Sequence, residues 1–162
     1  INVMSKYFEK LYTVEYSKKL YDNLIKRNRK KNISFYNLDS NTFLKKILPE
    51  LNISTNDYDI LFFLDAHWAG IKTGFFEKDC PLLDELNTIN NLYTKKKIII
   101  IDDYNKFGVI KQKSHHKNEE HKKIFGEKGK IEDWSNITLE NVLKCFNNCE
   151  YKIINDRLIL NC

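Results

Sequence analysis

Glycine and proline are scarce, five and two in 162 residues, and no glycine precedes Gly70. No apolar run approaches the roughly 18 residues that cross a bilayer, so a membrane span is not expected. The first twenty residues, "INVMSKYFEKLYTVEYSKKL", are too polar for a secretory signal. The chain does not open with Met, which points to a processed product or a piece of a longer chain. Cys80, Cys145, Cys149 and Cys162 hold a single C-x3-C pair and no second pair, a poor match to a zinc site. Free thiols in a reducing, cytoplasmic setting are the expectation. Also absent is a basic stripe with interleaved aromatics. The formal net charge of +5 therefore reads as solvated lysines spread along the chain, and nucleic acid is not the expected partner.

What is present is an alternation of helical and extended patterns in a length that suits one domain over residues 1–162. "NVMSKYFEK" has apolar residues at helical spacing, and "LYTVEYS" reads as a short strand. "SKKLYDNLIKRNRKK" predicts an amphipathic helix with Leu20, Leu24 and Ile25 on one face. "ISFYNLDS" predicts a strand, after which Asp39 or Ser40 caps a helix over "NTFLKKILPEL". "YDILFFLDAHW" and "KKIIIIDDY" are strands with unbroken apolar runs, separated by the helix "CPLLDELNTINNLYTKK", with Pro81 near its first turn. "TLENVLKCFNN" predicts a helix capped by Thr138 with Asn141 at its third position. "YKIINDRLIL" is either one strand or a tight hairpin turning near Asn155–Asp156. The pattern is that of an α/β domain with a mainly parallel sheet, covered on both faces, and an antiparallel edge at the C-terminal end.

In such sheets ligands bind beyond the carboxyl ends of the strands. Two apolar strands end there in acids, "LFFLDAH" in Asp65 and "IIIIDD" in Asp102 and Asp103. Three carboxylates brought together repel one another, and a hard divalent cation such as Mg²⁺ or Mn²⁺ relieves that repulsion. The metal would hold and orient a substrate hydroxyl, and His67, two residues beyond Asp65, would accept its proton. The plainer alternative is that these acids end strands and cap helices.

The run "FFLDAHWAG", then "DCPLLDEL" and "IIIIDDYNKFG", resembles class I S-adenosylmethionine-dependent methyltransferases over the length of the chain. Within that family it is similar to bacterial and viral proteins found with glycan-modifying enzymes. The resemblance implies a Rossmann-like three-layer domain that binds S-adenosylmethionine. Glu15 matches the acid that holds the cofactor ribose, and Asp39, with Ser40 beside it, matches the position facing the adenine. Asp65, Asp102 and Asp103 match the acids of the metal-dependent O-methyltransferases, Asp65 also bordering the cofactor, and His67 matches the base. The family's first, central strand ends in a glycine-rich turn that lets the backbone approach the cofactor. Nothing before Glu15 contains glycine, so the first strand is expected to be missing here. The incomplete sheet would then be covered by a partner or a second subunit.

The polar stretch from Asn105 to Asp133 is longer than an ordinary connection and reads as a mobile lid or loop. Lys111, Lys113 and His115 would meet an anionic part of the acceptor, and Trp134 would anchor the end of the lid. His115, His116 and His121 match no common metal spacing. Trp68 and Phe75–Phe76 read equally as core or as a platform for a sugar ring.

The expected function is methylation of a hydroxyl on a small molecule or glycan. Two alternatives stand beside it. One is a non-catalytic remnant of the fold serving as a binding or assembly module; the other is a metal-dependent hydrolase or glycosyltransferase using the same acids.

Overall fold

The computed structural model describes residues 1, 3–28, 30–54, 60–65, 80–113 and 130–162. Its elements are β1 (Leu11–Val14), α1 (Lys18–Arg27), β2 (Ile33–Tyr36), α2 (Ser40–Ser54), β3 (Ile60–Leu64) and α3 (Leu82–Leu92). They continue with β4 (Lys97–Ile101), β5 (Ile110–Lys113), β6 (Lys130–Asp133), α4 (Leu139–Lys144), β7 (Glu150–Ile154) and β8 (Arg157–Asn161). The fold is mixed α/β. Parallel pairing joins β1 to β2 and β3 to β4, while β8 pairs antiparallel with β4 and β7 antiparallel with β8. The expected antiparallel C-terminal edge is therefore present. Among the described residues the strands do not form one sheet: β1 and β2 pair with each other, the order β3-β4-β8-β7 makes a second sheet, and β5-β6 make a third pair.

Register decides where the core lies. Side chains alternate across a strand, so Phe62 and Leu64 share a face with Ile99 and Ile101 of β4 and with Leu160 and Leu158 of β8. Leu44, Ile47 and Leu48 of α2, Leu82, Leu86 and Ile89 of α3 and Val142 of α4 close over that face in one buried cluster. Each such side chain contributes about 1.5–3 kcal/mol by leaving water. The opposite face carries Leu61, Phe63, Ile98, Ile100 and Ile159, none of which joins the cluster, and Phe63 is 51 % exposed. The expectation of burial on both faces is thus met on one face only among the described residues.

Two further expectations change. "NVMSKYFEK" yields a single 3-10 turn, Met4–Lys6, with no buried residue. Val3, Met4 and Tyr7 lie exposed, so the segment lacks the packing that offsets the cost of starting a helix. α1 forms as predicted, but none of its residues is buried and Ile25 is exposed. The ends of the polar stretch pair as an antiparallel ribbon, Ile110 with Asp133 through Lys113 with Lys130. The residues between them lie outside the described set. Gly108 enters this ribbon at φ +74°, a backbone conformation that suits glycine.

"YKIINDRLIL" is the hairpin, turning at Asn155 (φ 53°) and Asp156. Its register explains a departure from the free thiols expected of all four cysteines. Glu150 pairs with Asn161, so Cys149 and Cys162 are the next pair outward; their Cα atoms stand 4.5 Å apart and they form a disulfide. Cys80 and Cys145 are free thiols. Cys162 also exchanges two backbone bonds with Lys97, at 2.8 and 3.0 Å, which extends β8 along β4.

The Thr138 hydroxyl accepts the Asn141 amide at 3.1 Å, the predicted cap of α4. Thr138→Ala is expected to cost about 1 kcal/mol, read as a lower urea midpoint with an unchanged slope.

Candidate functional site

Acids stand at the carboxyl ends of all four parallel-paired strands. Glu15 follows β1 directly, and its amide donates to the Tyr36 carbonyl at 2.9 Å, keeping the ends of β1 and β2 level. The Asn37 side chain donates to the Glu15 and Tyr16 carbonyls at 2.8 and 2.9 Å and fixes that end further. Asp65 follows β3 and Asp102 follows β4; the Asp102 amide donates to the Leu64 carbonyl at 3.1 Å and holds those ends together.

Asp65 and Asp102 line a small crevice, open to solvent, with Leu64, Cys80, Leu82, Glu85, Ile101 and Trp134. Glu85 is its most unusual member. It lies on α3, is only 1 % exposed, and among the described residues neither of its oxygens accepts a hydrogen bond within 3.5 Å. Burial pushes its carboxyl up to about 7; the nearby Ser40 hydroxyl opposes the rise, and the charges of Asp84 and Asp39 add to it. Ser40 and Asp39 sit where β2 leads into α2, so the end of β2 and the ends of β3 and β4 meet around Glu85. A bond from the Thr88 hydroxyl to the Asn41 side chain, 2.7 Å, pins α3 to the start of α2 and fixes this meeting point.

A buried carboxyl that titrates near neutrality can take up a proton from a bound hydroxyl. Cys80 is not suited to nucleophilic work, because burial pushes its thiol up to about 12 and the Leu82 amide offsets this only in part. Trp134 is buried, and its amide donates to the Val109 carbonyl at 2.9 Å, so it anchors the end of the polar stretch to the core. Lys111 is exposed on β5.

The structure brings together Asp65 and Asp102 as predicted, and treats Asp103 differently. Asp103 adopts a left-handed backbone (φ 58°), and its carboxylate bonds Lys106 at 2.7 Å in the following 3-10 turn. Asp102 accepts from the Arg157 side chain at 3.2 Å. Among the described residues no group of three or more His, Cys, Asp or Glu is arranged to hold a metal ion. Asp102 and Asp103 thus each have a cationic partner, Arg157 and Lys106. His67, Trp68, Phe75, Phe76, His115, His116 and His121 lie outside the described residues.

The cofactor residues fit in part. Glu15 accepts the Ser17 amide at 2.7 Å just ahead of α1, and Asp39 accepts the Thr42 amide at 2.8 Å and so caps α2. Partial burial raises the Asp39 carboxyl, but bonds from the Thr42 hydroxyl and from the Thr42, Asp39 and Asn41 amides together hold it below its usual value. A carboxylate accepts about four hydrogen bonds, which leaves Glu15 capacity for ribose hydroxyls, whereas Asp39 already accepts four. No glycine-rich turn for the methionine part occurs among the described residues.

Sequence reasoning missed Glu85, although a signal existed. Leu82, Glu85, Leu86 and Ile89 fall at the helical spacing of one face, so an acid interrupts an apolar stripe that is otherwise core. Among the described residues no helix is long and apolar enough to cross a membrane. Comparison of the chain with protein-family models, with curated proteins and with solved structures finds no match.

Proposed function

We propose that the chain is a Rossmann-like methyltransferase domain that uses S-adenosylmethionine to methylate a hydroxyl of a small molecule or glycan. One observation carries this reading. Glu15, Asp39, Asp65 and Asp102 all stand at the carboxyl ends of parallel-paired strands, the end at which open α/β sheets bind ligands. The separation of β1-β2 from β3-β4-β8-β7 accords with an absent central strand.

Glu15 would hold the ribose and Asp39 the adenine, while the crevice beside Asp65 receives the acceptor. S-adenosylmethionine supplies an electrophilic methyl group when bound. Glu85, buried beside the Ser40 hydroxyl, would take up the acceptor's hydroxyl proton. Asp65 orients the hydroxyl, and Trp134 helps exclude water from the crevice.

Calorimetric titration with S-adenosylmethionine tests the assignment. Wild type is expected to bind, and Glu15→Ala about tenfold more weakly, the effect of losing hydrogen bonds to a charged acceptor. Equal affinity of the two, or no binding by wild type, would refute the reading. The second outcome would favour a binding or assembly module, which the ion pairs on Asp102 and Asp103 also suit.

A further inference from the structure

β7 is the edge strand of the four-stranded sheet, and among the described residues no strand pairs with its outer side. All five of its residues are exposed, including Tyr151 at 50 %, Ile153 at 43 % and Ile154 at 45 %. In an antiparallel ladder, alternate residues of an edge strand direct their N–H and C=O groups away from the partner. Such an open edge is a template for another strand. Glu150, Lys152 and Ile154 share one face of the sheet, and Tyr151 and Ile153 the other. Among the described residues neither Glu150 nor Lys152 takes part in an ion pair.

We propose that the outer edge of β7 pairs antiparallel with β7 of a second copy of this chain, across a two-fold axis at Tyr151. The charges select the register. An axis at Lys152 would set like charges directly opposite each other, which destabilises a strand pair. An axis at Tyr151 sets Glu150 of each copy opposite Lys152 of the other, and Tyr151 opposite its counterpart. Ile153 then faces Cys149 of the second copy, next to the disulfide that stiffens this end of the hairpin. Because the contact is isologous, each Glu150–Lys152 pair forms twice. The two four-stranded sheets become one continuous sheet, and the apolar side chains of both β7 strands gain cross-strand neighbours.

Sedimentation velocity on the full chain over a range of protein concentrations tests this, with far-UV circular dichroism to verify folding of each variant. Wild type is expected to self-associate into dimers. Lys152→Glu and Glu150→Lys each replace two attractive contacts with two repulsive ones, and each is expected to weaken association roughly tenfold or more. The double exchange Glu150→Lys with Lys152→Glu restores opposite charges across the axis and is expected to restore the dimer. A wild type that stays monomeric overturns the proposal. So does a dimer indifferent to the single reversals, or a double exchange that does not recover association. Both residues are exposed on the strand surface, so the fold itself does not depend on them.

Discussion

Glu85→Gln is expected to remove a pH dependence of stability that wild type shows between about pH 4.5 and 7. The Glu85 carboxyl titrates at about 7 in the folded protein, against the ordinary glutamate value of 4.5. Below 4.5 both states hold the proton and the group has no effect. Between the two values the folded state keeps its proton while the unfolded state releases it, so stability falls as pH rises through this window. A shift of this size is worth about 3 kcal/mol in total, and the loss is complete above the folded value. Glutamine matches the shape and cannot ionise. Urea unfolding from pH 4 to 8 should therefore show the variant close to wild type at the acid end and more stable at pH 8, by as much as about 3 kcal/mol. Parallel stability curves for the two proteins would show that Glu85 stays ionised on folding. Under the proposed function the same change abolishes transfer to a hydroxyl while leaving cofactor affinity intact. Gain of stability with loss of activity is the signature of a strained functional group.

The second large effect concerns the Cys149–Cys162 bond. Its members are 13 residues apart in sequence, and opening a loop of that size costs about 3 kcal/mol in the chain-entropy account. For a domain of this length, that is a fall in Tm of roughly 6–12 °C. The bond closes the open end of the β7-β8 hairpin beside Lys97, so it keeps β8 between β4 and β7 and with it the buried Leu158 and Leu160. Thermal unfolding with and without reductant checks it. Wild type should lose stability on reduction, and Cys149→Ser should start lower and ignore the reductant. A wild-type Tm unchanged by reductant would rule the cross-link out as a source of stability.

Much of the architecture was legible because its signals are local. The apolar and aromatic runs "ISFY", "ILFFL" and "KIIII" became strands, Thr138 became a cap, and Asn155–Asp156 became a turn. Burial was not legible in the same way. An unbroken apolar run has no period, so "KIIII" cannot say whether one face or two is covered. The structure decides by leaving Phe63 half exposed while Phe62 is buried. The disulfide follows from the hairpin register and not from the C-x3-C spacing that drew attention to Cys145 and Cys149. At the site, strand ends placed Asp65 and Asp102 together correctly. The cations that hold Asp102 and Asp103 were out of reach: Lys106 depends on a left-handed turn, and Arg157 on a strand brought back from far along the chain. The ribbon of β5 and β6 was hidden for a similar reason, since "IKQK" and "KIED" are charged segments made strands by each other.

The order β3-β4-β8-β7 also bears on how the chain is made. During synthesis from the N-terminal end, β4 emerges with β3 already available on one side, whereas its other neighbour, β8, begins only at Arg157. At ordinary elongation rates several seconds separate the two. Throughout that interval four consecutive isoleucines present an open, strongly β-forming edge, the kind of segment that pairs with other copies of itself. The cell therefore meets this protein first as a nascent chain with an incomplete sheet. Its yield in the folded form should depend on chaperone supply and on temperature more than the stability of the finished molecule would suggest.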